Sequence, residues 1–136
     1  MGLNKIAGLS KTQDWNVHGI EHQLGAYTDC PHGIGLAIVS LPYYRHILPE
    51  AEKKFARLAV NVFEVEKPGK TENELARAAI DSLEEFIDML KIPKRLREVG
   101  ATEQMLPKIA YSVTPEDSGY KRITQDEILE ILKECY

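Results

Sequence analysis

The chain has 136 residues, 43% hydrophobic and 28% charged, with a formal net charge of -4. That length and composition suit a single globular domain over residues 1–136 with its own apolar core, and they exclude a disordered chain. The acidic balance, with lysines and arginines interleaved among acids, argues against nucleic acid as a partner.

Taken in order, the elements read as helices. From Asp14 or Trp15 to about Tyr27, apolar residues at Val17, Ile20, Leu24 and Tyr27 recur at helical spacing and predict an inward face. Asp29-Cys30-Pro31 reads as a turn and helix start, with Pro31 at the first helical position and His32 just inside. Gly33 to Val39 is apolar all round and predicts a buried helix, whose two glycines allow a backbone or ligand to come close. Pro42 and Pro49 punctuate the next stretch, after which Phe55, Leu58, Ala59, Val62 and Phe63 mark a separate amphipathic helix.

Lys67 to Lys70 is a loop. Thr71 and Glu74 have capping-box spacing for a long helix carrying Leu75, Ala78, Ala79, Leu83, Phe86, Ile87 and Leu90. Pro93 is expected to open a short helix ending near Gly100, and another covers Glu103 to Ala110. Thr114 to Tyr120 is turn-like, and Thr124 with Glu127 repeats the capping-box spacing before a C-terminal helix. No strand alternation of useful length appears, so the fold class is all-α.

The longest apolar run, Ile34 to Leu41, is too short to cross a bilayer, and the first residues lack a secretory leader pattern, so a cytoplasmic protein without membrane contact is expected. Cys30 and Cys135 stand far apart, without zinc-knuckle or redox spacing, and read as reduced thiols. Gly33-x-Gly35 follows no strand and lacks a third glycine, so no dinucleotide fingerprint is present.

Three of the four histidines fall in one stretch: His18 and His22 four apart on the first helix, and His32 after the turn. Residues four apart share a helix face, and a third imidazole returning from a neighbouring helix can meet them, which is how imidazoles converge on one metal. The competing reading is solvated or capped histidines at helix ends. His46, near the prolines and without a histidine at ligand spacing, reads as a surface or loop residue. Trp15, Tyr27 and Tyr43 read as core before substrate mouth, and Glu84-Glu85 and Lys53-Lys54 as solvated helix faces.

The string from Thr12 to Ala26, TQDWNVHGIEHQLGA, followed by Asp29-Cys30-Pro31-His32-Gly33 and Gly35-Leu36-Ala37-Ile38, resembles the C-terminal half of the iron-containing alcohol dehydrogenases, in particular the butanol dehydrogenase-like branch. Weaker matches run through Ile92 to Gly100 and Ile123 to Ile128. The resemblance implies the multi-helix C-terminal domain of the dehydroquinate synthase-like fold, without the N-terminal nucleotide-binding α/β domain that completes that family's enzymes. It implies a divalent metal, Fe2+ or Zn2+, held by an aspartate and three histidines, of which His18 and His32 match the last two. His22 matches a histidine beside the metal and nicotinamide, the candidate proton relay.

The aspartate, the first histidine and the NAD(P) pocket belong to the half of that family outside the resemblance, so no cofactor-binding residue is assigned here. NAD(P) is expected only where that nucleotide domain is supplied. The expected partners are therefore such a domain, or a second copy through an exposed cleft face around Gly33 to Val39, with a small alcohol or aldehyde as substrate of the full enzyme. The isolated chain is expected to have little or no dehydrogenase activity. Two other readings stand beside this one: a stand-alone helical binding or assembly module, and a related cyclase such as a dehydroquinate synthase, which fits the histidine string less well.

Overall fold

The computed structural model describes residues 13–136; Thr12 and the first residues, read above for a leader, lie outside the described residues. All regular structure among the described residues is helical. Helix α1 spans Asn16–Thr28, α2 His32–Asn61 and α3 Glu72–Met89. Short 3-10 turns follow at Leu96–Val99 and Glu103–Met105, then α4, Leu106–Ser112, and α5, Gln125–Glu134.

The spine of the fold is α2. Its first half enters a core in which Ile38, Val39, Tyr43 and Ile47 meet Val17, Ile20 and Leu24 of α1 and Leu106, Ile109, Ile128, Ile131 and Leu132 of α4 and α5. Its second half pairs with α3. Leu41 and Leu48 join Ala76, Ile80 and Ile87, while Ala56 and Ala59 meet Leu75 and Ala79, an order that makes the pair antiparallel. The alanines at this seam let the two helix backbones approach closely.

The prolines do not divide α2. One helix of 30 residues runs through both Pro42 and Pro49, where the sequence predicts a break. Each interior proline forfeits a backbone bond at a cost of about 3 kcal/mol. Burial of Ile38, Val39, Leu41, Tyr43, Ile47 and Leu48 around them offsets that cost, at roughly 1.5–3 kcal/mol per large apolar side chain.

Other boundaries shift for readable reasons. Pro31 is the N-cap of α2 rather than its first residue, which makes His32 the first helical position. Val62 lies past the end of α2 and is 63% exposed. Tyr27, Phe86 and Leu90 are exposed although apolar spacing predicts them inward, because among the described residues no element covers their helices there. The segment after Pro93 coils only from Leu96, as a 3-10 turn closed by Gly100 at φ 85. The expected helix from Glu103 to Ala110 divides into a 3-10 turn and α4. Both capping boxes form: the Thr71 and Thr124 hydroxyls accept from the backbone N–H of Glu74 and Glu127, whose carboxylates answer to the cap N–H.

Candidate metal centre

The turn between α1 and α2 builds the site. Asp29 takes a left-handed conformation, φ 53, and its N–H returns to the Gly25 carbonyl, so only Cys30 and Pro31 separate that cap from His32. So tight a return sets the first residue of α2 back along α1, where His18, in its first turn, and His22, one turn on, occupy one face.

The three predicted imidazoles meet. Ring centroids of His18 and His32 are 5.5 Å apart, those of His22 and His32 also 5.5 Å, and those of His18 and His22 6.3 Å. Two imidazoles on one tetrahedral ion place their centroids about 5 Å apart, given metal–nitrogen bonds of about 2.0–2.1 Å. The donor set thus fits a borderline divalent ion of the iron or zinc kind, for which neutral imidazole is a favoured ligand. Partial burial, then the fields of His32 and His22, lower the pKa of His18, which favours the neutral form a ligand needs. Trp15 packs edge-on against His18 at 4.9 Å.

A carboxylate joins two of them, His22 and His32. Donor atoms of Glu21, His22 and His32 all lie within 4.8 Å of one another, and the Glu21 Oε2 is hydrogen-bonded to His32 Nδ1. Sequence reasoning passed over Glu21, yet a signal was there. Glu21 stands four residues after Val17 and three before Leu24, on the buried stripe of α1, where an unpaired acid is costly.

Around this cluster the other expectations sort themselves. Gly33 borders open space, whereas Gly35 is where a close approach occurs, to the Glu21 side chain. Gly35, Ile38 and Val39 are buried, so the stretch from Gly33 to Val39 is not the exposed apolar floor expected. Beside His18 an open hollow of about 570 Å3, lined by Val17, Leu36, Tyr43, Tyr44 and Phe55, runs between α1 and α2. Tyr43 is core, at 1% exposure, while Trp15 and Tyr27 are exposed.

His46 is no loop residue; it sits within α2 and shares Glu127 with Lys121, at 3.1 and 2.8 Å. Glu84 pairs with Arg45 at 2.6 Å, whereas Glu85, Lys53 and Lys54 are exposed. Both cysteines are free and buried, and burial raises the thiol pKa of each, that of Cys135 to about 12. Among the described residues no helix is long and apolar enough to cross a membrane.

Residues 4–136 match the family described as Fe-containing alcohol dehydrogenase, C-terminal. The chain belongs to this family. It is 36% identical over 135 residues to the probable NADH-dependent butanol dehydrogenase 1 of Bacillus subtilis, covering 98% of this chain and 35% of that protein. To the NADH-dependent butanol dehydrogenase A of Clostridium acetobutylicum it is 34% identical over 141 residues, covering all of this chain and 36% of the relative.

Solved structures agree. A 1,3-propanediol oxidoreductase superposes with a TM-score of 0.82 at 27% identity, over 89% of this chain and 32% of its own. The NADH-dependent butanol dehydrogenase A of Thermotoga maritima superposes with 0.78 at 26% identity, over 90% and 33%. The chain spans about a third of the length of these Fe-containing alcohol dehydrogenases, and its helical fold is their C-terminal portion.

Proposed function

We propose that residues 1–136 form one helical domain that supplies the metal-side wall of the active-site cleft in an NAD(P)H-linked dehydrogenase interconverting small primary alcohols and aldehydes. The observation that carries this reading is the approach of His18 and His32 to 5.5 Å, with His22 at the same distance from His32. His18 and His32 are the ligands this chain would give to an Fe2+ or Zn2+ ion, with an aspartate and another histidine coming from a nucleotide-binding domain. Once bound, such an ion polarises the alcohol or carbonyl oxygen and lowers the barrier to hydride exchange with the nicotinamide.

The chain's own residues do the rest. His22, exposed and beside the ligand pair, would accept or return the alcohol proton, the acid–base task for which imidazole is most often used. The apolar hollow next to His18 suits the carbon chain of a small alcohol. The names of the relatives, butanol dehydrogenases using NADH, support this substrate class.

Zinc titration of the chain by calorimetry tests the ligand assignment. His18→Ala and His32→Ala are expected to weaken binding about 10-fold or more, and His22→Ala less than either, because typical zinc sites need at least three protein ligands and each loss bites. Equal losses for all three would make His22 a ligand, and unchanged binding in His18→Ala would end the assignment. Supplied with zinc or iron, NADH and butanal, the chain alone is expected to turn over little or not at all. Turnover that His18→Ala abolishes would overturn the need for a nucleotide-binding domain.

A further inference from the structure

Glu21 is the only buried charged side chain among the described residues, at 2% exposure. An ionised carboxylate out of water costs several kcal/mol unless a donor or a cation answers it. At Glu21 the side chain that answers is His32, through Nδ1. The carboxylate occupies space that a glycine leaves: a Cβ at Gly35 would fall 2.7 Å from Glu21 Cγ and 3.0 Å from its Oε1. Gly25 flanks the other side, its Cβ position 3.6 Å from the same oxygen. A buried acid, a matching imidazole and a gap cut for the acid form a built arrangement.

We infer that Glu21 is a positioning residue: it accepts the Nδ1–H of His32, fixing the ring's orientation and the tautomer whose Nε2 lone pair is free for a metal. The inference rests on the reading of His32 as a ligand, because the tautomer matters only where Nε2 has an ion to meet. A carboxylate behind a ligating imidazole holds the ring against rotation and raises its basicity, and loss of such a partner typically weakens metal binding about 10–100-fold. Glu21 lies near enough to His22 and His32 to be considered a ligand itself. Its burial and the engagement of Oε2 by His32 favour the supporting role.

Long-range proton–nitrogen correlation spectra of the labelled, metal-free chain, taken where histidine is neutral, read the tautomer directly. The wild type is expected to carry the proton of His32 on Nδ1, against the Nε2–H preference of free imidazole. Glu21→Ala should return His32 to the Nε2–H form and weaken zinc binding about 10–100-fold. Glu21→Gln, which keeps a carbonyl acceptor, should retain the tautomer and lose less. Gly35→Ala leaves the carboxylate's chemistry intact but takes its space, and should weaken zinc as Glu21→Ala does.

A wild-type His32 protonated on Nε2 overturns the inference without any variant. So does a Glu21→Ala chain whose His32 tautomer is unchanged, since a group other than Glu21 would then be holding the Nδ1 proton. A wild type with the Nδ1–H tautomer that binds no zinc removes the metal reading and leaves the Glu21–His32 pairing standing.

Discussion

Asp14, Asn16 and Tyr43 fix the start of the helix that carries two of the histidines. The Tyr43 hydroxyl donates to Asp14 Oδ2 at 2.8 Å and accepts from Asn16 Nδ2 at 3.3 Å, while Asn16 Oδ1 takes the backbone N–H of Glu116 at 2.9 Å. Burial, then the bond to Asp14, pushes the Tyr43 phenol well above its ordinary range, so it remains a donor at any working pH. Tyr43→Phe removes a buried hydroxyl and takes one bond from each partner, at an expected cost of about 1–3 kcal/mol in urea unfolding. A variant as stable as the wild type would mean that water replaces the hydroxyl without loss. Gly119 closes the same corner: at φ 102, with a Cβ position 2.7 Å from Asp14 Oδ2, Gly119→Ala should cost about 1–3 kcal/mol in the same assay. None of this network was legible in the sequence, since its bonds join residues 29 and 100 positions apart. The three histidines were legible because spacing alone puts two on one face, and Glu21 was overlooked because an acid beside a histidine looks like a solvated one.

At the scale of elements, the helices announced themselves wherever the deciding force was local. Thr71 and Thr124 cap as their spacing predicts, because a capping box is closed by four consecutive residues. Thr124→Ala should therefore cost about 1 kcal/mol of stability. The continuity of α2 was not legible, because its decisive term is the packing of α1 and α3 along it rather than the propensity of its own residues. Pro49 gives a sharp test, being exposed and inside the helix, so replacing it removes little packing. Pro49→Ala restores a backbone donor worth up to about 3 kcal/mol and forfeits about 1 kcal/mol of unfolded-chain stiffness, for a net gain of about 1–2 kcal/mol. A loss of stability would show that the helix needs the proline there.

Across the whole molecule, one carboxylate joins parts of the chain that nothing local brings together. Glu127 closes the cap of α5, reaches His46 in α2 and pairs with Lys121. The bond from Lys121 first, then those from the Thr124 backbone and His46, hold its pKa at about 2 against an ordinary 4.5. A carboxyl depressed on folding binds fewer protons in the native state than in the unfolded one. Its contribution is therefore fully present above pH 4.5 and drains away as pH falls toward about 2. Glu74 and Glu98, lowered chiefly by the backbone N–H groups of Thr71 and Lys94, act in the same direction on exposed helix starts. They are common to wild type and variant, so the difference between the two isolates Glu127. Glu127→Gln should lower stability at neutral pH by on the order of 1–2 kcal/mol after solvent screening. The gap between the variant and the wild type should close as urea midpoints are followed down through pH 4.5 toward 2. A gap that stays constant with pH would mean that Glu127 contributes packing and its cap, and that the charge shared with Lys121 and His46 adds nothing to the fold.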